Sequence, residues 1–257
     1  VLKYSMDRTV EVATTYNQKY YDLVGRSMVE SFVKHWPKHI KLHVYWQEAE
    51  PDIIEPNIVY HELYRVQPQL KQWVDAHTAD HYRGWREDRG KYVWKNDGVK
   101  FSHKVFAQTH RIKNSDAEIL LYSDADTLYH AAPDLDMLDE ICPPDSLCTF
   151  FDRPKFRDET GFYMHNPQHP RAKEWAERLE QIYLTGEVWT YAENKSADQY
   201  TMAHGRDSFK DCKQMDLMRH HWSQPYYGID FKDPVPTSPL SKFLQHLKGG
   251  KKGDIHK

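Results

Sequence analysis

The spacing of apolar and polar positions changes along the chain, and these changes predict a succession of strands and helices. Residues 9–16 (TVEVATTY) open with alternating valines, which predicts a strand that leads into a loop. Apolar residues then recur every three or four positions until Trp36-Pro37, which predicts a helix ending there. Two short runs, 40–46 (IKLHVYW) and 57–63 (NIVYHEL), predict two more strands. This opening is typical of an α/β fold.

A strongly polar and aromatic stretch follows at residues 67–97, and its pattern indicates either a helical hairpin with a mobile loop or a solvated surface helix. It carries Trp73, Trp85 and Trp94. These side chains have two interpretations, because aromatic rings either frame a bound acceptor or pack at the edge of a core.

Periodic segments continue to about residue 205. Residues 99–113 (VKFSHKVFAQTHRIK) predict a helix with an apolar stripe and an adjoining cationic stripe of Lys100, Lys104 and Arg111. Such a stripe is most often a solvated face, but its position immediately before an aspartate pair also favours a functional role. The remaining predicted elements are strands at 118–122, 146–152 and 161–166 and helices at 133–141, 169–186 and 196–205. No repeat or linker interrupts them, so we expect one domain over residues 1–257, with a mixed, mostly parallel central sheet flanked by helices.

The charge composition argues against two classes of binding partner, nucleic acids and anionic membranes. The 257 residues include 35 basic and 38 acidic side chains, and a net charge of −3 provides no field for nucleic acid or an anionic membrane. Three cysteines without metal-type spacing fit a reducing compartment, and no apolar run is long enough for a membrane span, so we expect a cytoplasmic protein. Val1 is not an initiator methionine, which leaves open that the chain is part of a longer multidomain protein.

The clearest candidate for chemistry is an aspartate pair at the end of the strand predicted at 118–122. In extended backbone, Asp124 and Asp126 point to the same side, where their charges would repel each other. A hard divalent cation such as Mg²⁺ or Mn²⁺ removes the repulsion and retains open positions for phosphate oxygens. Ligands of open α/β sheets bind at this end of the strands, so the pair predicts a metal site.

The same segment has an alternative interpretation. The letters ILLYSDADT also satisfy the hhhhDxDxT pattern of haloacid-dehalogenase-like phosphatases, in which the aspartates serve as nucleophile and acid. That motif belongs to the first strand of the phosphatase core, whereas about 120 residues precede it here. Asp230 and Asp233 could supply the later acidic pair, although no convincing strand precedes them. A second triplet, Asp134 and Asp136, lies in a predicted helix and is expected to be solvated.

The segment AEILLYSDADTLYHAAPDLDML resembles retaining glycosyltransferases of family 8, the glycogenin and bacterial galactosyltransferase group. Three further motifs resemble that family in the same order along the chain. They are TGFYMHN with Thr160, Gly161 and Asn166, ADQYTM with Asp198 and Gln199, and HLKGGKK with His246, Gly249 and Lys252. The sequence departs from the family pattern at Ser123, Tyr200, Gly253 and Asp254.

This resemblance implies a GT-A (Rossmann-like) fold and a nucleoside diphosphate sugar, UDP-linked, as the donor. Residues 1–130 would form the nucleotide-binding half, and residues 131–257 the acceptor-side half with a C-terminal metal and diphosphate loop. The implied metal ligands for Mn²⁺ or Mg²⁺ are Asp124, Asp126 and His246. The implied donor contacts are Thr14, Thr15 and Tyr16 near the base and Lys104, Gly249 and Lys252 near the diphosphate, with Asp124 through the metal.

The expected reaction transfers the sugar to a hydroxyl of a carbohydrate or other acceptor. If configuration is retained, as the resemblance implies, the departing phosphate takes the proton while Asp198 or Gln199 supports the sugar. If it is inverted, Asp198 and then Asp152 are the candidate general bases, although Asp198 could equally be a helix cap. A carbohydrate-binding protein that has lost turnover on the same fold is a further alternative.

Overall fold

The computed structural model describes residues 8–48, 50–153, 156–191, 195–221 and 232–247. In these ranges the strands are β1 (Val10–Asn17), β2 (Lys41–Gln47), β3 (Ile58–Glu62), β4 (Arg83–Arg86), β5 (Lys91–Asp97), β6 (Ile119–Ser123), β7 (Thr127–Tyr129), β8 (Cys148–Phe150), β9 (Asp152–Arg153), β10 (Arg157–Asp158), β11 (Phe162–His165), β12 (Met215–Asp216) and β13 (Leu244–His246). The α-helices are α1 (Gln18–Tyr20), α2 (Arg26–His35), α3 (Leu63–Val66), α4 (Pro68–Ala76), α5 (Gly98–Lys113), α6 (Leu135–Ile141), α7 (Ala172–Leu184) and α8 (Asp198–Asp207). A π-helical turn, Tyr21–Gly25, joins α1 to α2.

A seven-stranded sheet forms the centre of the molecule, in the order β12-β8-β11-β6-β1-β2-β3. The pairs β1–β2, β2–β3, β1–β6 and β8–β12 are parallel, and β11 is antiparallel to both of its neighbours. All five residues of β6 are buried, as expected for a strand covered on both faces. The structure therefore confirms the predicted α/β fold with a mixed, mostly parallel sheet flanked by helices.

Two apolar cores cover the two faces of this sheet. One contains Met28 and Phe32 of α2, and the other contains Phe106 of α5 and Trp175 of α7. Alternate residues of β11 divide between the two cores, as expected for a strand, because Phe162 and Met164 join the first core and Tyr163 joins the second. Each large apolar side chain buried here contributes about 1.5–3 kcal/mol, which fixes both helical layers against the sheet.

The order of the strands places a crevice beside the aspartate pair. After β1 the chain builds β2 and β3 on one side of β1, and later returns to add β6 on the other side. The carboxyl ends of β1 and β6 therefore adjoin at the point where the order reverses, which is where open α/β sheets bind ligands. The sheet contains strands from residues 1–130 and from residues 131–257, and the functional division into those two halves stays a prediction.

A second, two-stranded sheet closes this edge. Strand β13 pairs antiparallel with β7, with His246 opposite Thr127. Because β7 begins at the residue directly after Asp126, this pairing brings residues 244–246 back to the aspartate pair. In the described ranges, no helix combines the length and apolar character needed to cross a membrane.

Two local predictions were wrong. Residues 67–97 form α4 and then an antiparallel β-hairpin, β4–β5, instead of a helical hairpin with a mobile loop. The hairpin turn ends at Gly90, whose φ of 56° is readily adopted by glycine. The cationic stripe of α5 is solvated at Lys100 but not at Lys104 and Arg111, which are buried and ion-paired. Burial of long cations needs partners from distant segments, which helical periodicity does not report.

The tryptophans predicted as one set also separate. Trp73 is 6% exposed and its ring stacks on that of Trp189 with centroids 5.8 Å apart, so it packs in the core. Trp85 and Trp94 are 42% and 45% exposed on the hairpin. The packing interpretation is therefore correct for the first residue only.

Candidate active site

The aspartate pair lies in a tight turn directly after β6. The backbone N–H of Asp124 donates to the carbonyl of Gly161 at 3.1 Å, and the carbonyl of Asp124 accepts from Thr127 N at 3.0 Å. Asp126 is buried, while the side chain of Asp124 is 27% exposed. The turn thus holds one carboxylate inside the site and leaves the other partly accessible.

His246 completes a three-residue cluster with the pair. Its Nε2 lies 3.0 Å from Oδ1 of Asp126 and 3.9 Å from Oδ2 of Asp124. The backbone is fixed beside the turn, because Leu247 N donates to the carbonyl of Asp126 at 2.8 Å. The three side chains offer ligand atoms that all lie within 4.8 Å of one another. Two carboxylates and one imidazole are a donor set that suits Mn²⁺ or Mg²⁺, so these residues fit the metal that the sequence predicted.

Gly161 makes room for the imidazole. A Cβ at this position would lie 2.2 Å from Cε1 of His246, which is far inside van der Waals contact. The N–H of Gly161 donates to Oε1 of Glu159 at 2.9 Å, and that oxygen is 4.0 Å from Nδ1 of His246. At 4.0 Å the carboxylate contacts the imidazole through charge and not through a hydrogen bond, and it lies on the side of the ring away from Asp126. The glycine and the glutamate therefore shape the position of His246.

Lys104 joins α5 to the aspartates at the sheet edge. Its ammonium lies 2.6 Å from Oδ1 of Asp124 and 2.7 Å from Oδ2 of Asp198, and 5.4 Å from the centre of the Tyr122 ring. Both Lys104 and Asp198 are buried. One cation thus links the aspartate pair to the first residue of α8.

Asp198 is not the cap of its helix. The N-cap position of α8 is Ala197, and Asp198 is the first helical residue. Its Oδ1 accepts from Gln199 N at 2.9 Å while Oδ2 contacts Lys104. Gln199 Oε1 accepts in turn from the Arg153 guanidinium at 3.2 Å. The start of α8 therefore belongs to the same polar network as the aspartate pair.

The site carries more negative than positive charge. Among the described residues, the carboxylates of Asp124, Asp126, Glu159 and Asp198 face two permanent cations, Lys104 and Arg153, and the imidazole of His246, which adds a positive charge only when it is protonated. The cluster therefore keeps an excess of negative charge, which is largest when His246 is neutral, as a metal ligand must be. The cluster is thus electrostatically suited to a divalent cation.

The pKa values reflect this crowding. Burial raises the pKa of Asp124, an effect that Lys104 opposes and the charge of Asp126 strengthens. Burial alone would lower the pKa of His246, but the hydrogen bond and charge of Asp126 outweigh burial and raise it. For Lys104, burial is likewise outweighed by Asp124 and Asp198, and the pKa is raised. The groups therefore hold their charges through one another, as at sites built for charged ligands.

The residues predicted to contact the base lie at the end of β1, beside the aspartates. Thr14 and Tyr16 are buried there. Thr15 is partly exposed and its hydroxyl donates to the carbonyl of Tyr45 at 2.6 Å. Contact of these three residues with a nucleotide stays a prediction. Gly249 and Lys252 lie outside the described residues.

The other acidic candidates do not belong to the Asp124–Asp126–His246 cluster. Asp134 is the N-cap of α6 and accepts from Met137 N at 3.1 Å, and Asp136 lies in the first turn of that helix. Asp152 lies in β9, where its N–H donates to Asp216. Asp233 is described, whereas Asp230 lies outside the described residues. The second D-x-D triplet thus begins a helix and does not end a strand.

Sequence reasoning missed Glu159 and Arg153. Arg153 NH1 lies 2.8 Å from Oε2 of Glu159, and both side chains are buried. Glu159 immediately precedes the Thr160-Gly161 motif, and that position was the available signal. Arg153 carried no comparable signal because its contacts with Glu159 and Gln199 depend on the fold.

Comparison with solved structures shows which known proteins have a similar fold. No protein-family model matches the chain, and no curated protein sequence matches it. Among solved structures, mouse xyloside xylosyltransferase 1 in its apo form matches with a TM-score of 0.51 and 11% identity, over 84% of this chain and 91% of that one. The apo bifunctional glycosyltransferase WbbM matches with a TM-score of 0.52 and 14% identity, over 96% of this chain and 47% of WbbM. The present chain thus spans about half of WbbM.

At these identities the likeness concerns the fold. The predicted GT-A architecture, with its mostly parallel central sheet flanked by helices, is confirmed, and the phosphatase alternative gains no support. The chain has the fold of glycosyltransferases, with an Asp–Asp–His cluster at the carboxyl edge of its central sheet.

Proposed function

We propose that this chain is a metal-dependent glycosyltransferase that moves a sugar from a nucleoside diphosphate sugar, UDP-linked, to a hydroxyl of a carbohydrate acceptor. One observation supports this most directly. Asp124, Asp126 and His246 come from segments about 120 residues apart and meet at the carboxyl edge of a GT-A sheet, beside the end of β1. Ion pairs that only stabilise the fold occur anywhere in a protein and balance their charges. This cluster lies where open α/β sheets bind ligands, and it carries an excess of negative charge.

The residues of the cluster would hold Mn²⁺ or Mg²⁺ through two carboxylates and one imidazole. When bound, the cation supplies positive charge that makes the nucleoside diphosphate a better leaving group. The Lys104 ammonium contacts the carboxylates of both Asp124 and Asp198 directly, so it fixes these two carboxylates relative to each other. Thr15 at the end of β1 and Lys252 of the C-terminal motif complete the proposed donor contacts.

Asp198 is proposed to face the transferred sugar and not to act as a base. Both of its oxygens already accept from or pair with Gln199 N and the Lys104 ammonium. A general base must take a proton from the acceptor hydroxyl, and an oxygen held by an ammonium is poorly suited to that. This favours retention of configuration, with the departing phosphate accepting the proton, as in the glycosyltransferases of family 8 that the sequence resembles.

The β4–β5 hairpin is proposed to receive the acceptor. Trp85 pairs with Tyr92 across the hairpin, and Trp94 follows two residues later, so the three rings share one face. These side chains are 42%, 49% and 45% exposed, respectively. Flat rings with a polar edge stack on the apolar face of a pyranose while their polar groups stay hydrated.

The hairpin is connected to the candidate active site. The carbonyl of Lys95 accepts from the N–H groups of Ser196 and Ala197, at 2.8 and 3.1 Å, directly before Asp198. Two hydrogen bonds to the Lys95 carbonyl thus connect the strand that carries Trp94 to the start of α8. An acceptor that stacks on the hairpin would extend toward the aspartate cluster.

A panel of sugar nucleotides, assayed for release of nucleoside diphosphate with and without Mn²⁺, tests the function. We expect Mn²⁺-dependent release that Asp126→Asn lowers by at least a hundredfold, because one metal ligand is lost. The control Asp145→Asn, an exposed residue paired with Lys213, should retain wild-type rates. Donor binding without release would support the carbohydrate-binding alternative, and phosphate release from monoesters would support the phosphatase.

A further inference from the structure

A second group of metal-ligating side chains lies away from the aspartate cluster. Glu140 is near the end of α6, and His220 and His221 follow β12 in the chain. The Nε2 atoms of the two histidines each lie 3.5 Å from the same Oε1 of Glu140. One possible ligand atom from each of the three residues lies within 4.8 Å of the other two.

The distances within this cluster distinguish direct hydrogen bonds from a metal-binding arrangement. Hydrogen bonds from imidazole to carboxylate are typically about 2.7–3.2 Å long, shorter than either contact. Ligand atoms at about 2.0–2.1 Å from a tetrahedral zinc ion are separated by about 3.3–3.4 Å. The observed 3.5 Å contacts to Glu140 therefore match the edges of a zinc coordination tetrahedron better than direct hydrogen bonds.

The surroundings favour a cation with an open coordination position. The cluster borders an open cleft of about 470 Å³, which Glu140 and His221 line together with Asp134, Asp136 and Lys242. Three carboxylates against one ammonium give this cleft an excess of negative charge, which attracts cations. Side-chain exposure rises from 12% at His220 to 62% at His221, so the group is anchored on one side and accessible on the other.

We propose that Glu140, His220 and His221 bind a zinc ion whose fourth position faces this cleft and accepts water or an anionic group. Two imidazoles and one carboxylate select zinc over Mn²⁺ and Mg²⁺, which prefer sites richer in oxygen. The ion would link α6 to the segment after β12, an edge strand of the central sheet. This site does not depend on the sugar-transfer proposal.

Zinc titration by calorimetry tests the site in an Asp124→Asn/Asp126→Asn background, in which the first cluster has lost both carboxylates. We expect one equivalent of Zn²⁺ to bind. His221→Ala and Glu140→Gln should each weaken the affinity at least tenfold, because each removes one ligand, and neither replacement creates a buried cavity. His39→Ala, which changes an exposed histidine elsewhere, should leave the affinity unchanged.

Cobalt spectroscopy on the unmodified protein gives an independent readout if the background variant does not fold. Co²⁺ in a tetrahedral site absorbs strongly in the visible range, and His221→Ala should remove that absorption while His39→Ala retains it. The proposal is overturned if Zn²⁺ does not bind the folded background variant, or if cobalt absorption is absent in the unmodified protein. It is also overturned if His221→Ala and His39→Ala behave alike.

Discussion

Lys104 is the residue on which the charge arrangement of the candidate active site depends most. It is buried between two carboxylates, with contacts of 2.6 Å to Asp124 and 2.7 Å to Asp198. Removing one partner of a buried ion pair leaves uncompensated charge inside the protein. The side chain is therefore expected to matter for folding as well as for the position of both aspartates.

Lys104→Met should lower the free energy of unfolding by about 3 kcal/mol in metal-free buffer, since two buried carboxylates lose their cation. Mn²⁺ should restore part of this loss in urea unfolding, because it supplies positive charge at the same place. Lys100→Met is the matched control, since Lys100 is exposed one turn earlier on α5, and it should change stability by less than about 0.5 kcal/mol. Equal losses in the two variants would contradict the role of Lys104.

Gly161→Ala should displace His246, whose ring would otherwise lie 2.2 Å from the new methyl carbon. We expect a loss of about 1–3 kcal/mol in stability from overpacking, together with weaker Mn²⁺ affinity in calorimetry. Adding His246→Ala should restore most of the stability while the Mn²⁺ affinity remains low. An alanine variant that stays equally unstable in both backgrounds would show that the strain arises elsewhere.

The residues that the sequence identified differ from those it missed in how local their signal is. Asp124 and Asp126 stand out because one apolar strand and one turn define their position. Glu159 and Arg153 enter the site only because β11 pairs with β6 and places Gly161 beside Asp124. The hydrophobic periodicity of a single segment contains no information about contacts between distant segments. The residues that surround a motif are therefore harder to predict than the motif itself.

At the scale of elements, periodicity predicted strands and helices well wherever one face or both faces are buried. The stretch 67–97 was the exception, because its aromatic residues alternate on an exposed hairpin and form no apolar stripe. Tyr92 and Trp94 are two residues apart, as on one face of a strand, but Trp85 and Tyr92 are seven residues apart, a spacing that also suits one face of a helix. Register and exposure, which the structure supplies, separate the two interpretations.

Trp94→Ala should raise the acceptor KM at least fivefold while leaving nucleotide release from the donor alone unchanged, because the ring would contact only the acceptor. Trp85→Ala should behave in the same way. Tyr64, a partly buried residue outside the exposed face, provides the comparison as Tyr64→Phe. Initial rates at varied acceptor concentration separate the parameters, and a lower kcat with unchanged KM would remove the hairpin from acceptor binding.

A histidine cluster joins β2, β3 and α5 on the side of the sheet away from the first core. His43 Nδ1 lies 3.0 Å from His61 Nε2, and the Tyr45 hydroxyl lies 2.8 Å from His110 Nδ1. Burial and then the charge of His43 lower the pKa of His61 to about 4. Burial and then the charge of Arg111 lower the pKa of His110 to about 4. The folded chain therefore holds both imidazoles neutral.

This cluster predicts how stability depends on pH. An unfolded histidine, with a pKa of about 6.5, binds a proton between pH 6.5 and 4 while the folded one does not, so stability falls as the pH is lowered through this window. After allowance for partial exposure, we expect a loss on the order of 1–3 kcal/mol in urea unfolding. His61→Gln should reduce the slope, whereas His81→Gln, at an exposed position, should not. Identical slopes in all three proteins would contradict the assignment.

At the scale of the whole molecule, the candidate active site is assembled from five parts of the fold. These are the turn after β6, α5, the segment from β9 to β11, the start of α8 and β13. The central sheet and its two apolar cores position these parts before any ligand binds. Ligand binding at such a junction stabilises every part at once, because unfolding any of them releases the ligand.

Thermal unfolding in the presence of UDP and Mn²⁺ should therefore report on the site through the stability of the whole chain. A ligand at a hundred times its Kd adds about 2.7 kcal/mol, which for a chain of this size raises Tm by about 5–10 °C. We expect this shift only when both are present, because the cation bridges the protein carboxylates and the diphosphate. Asp126→Asn should abolish it and Asp145→Asn should preserve it. A shift of equal size in Asp126→Asn would place the nucleotide away from the Asp–Asp–His cluster.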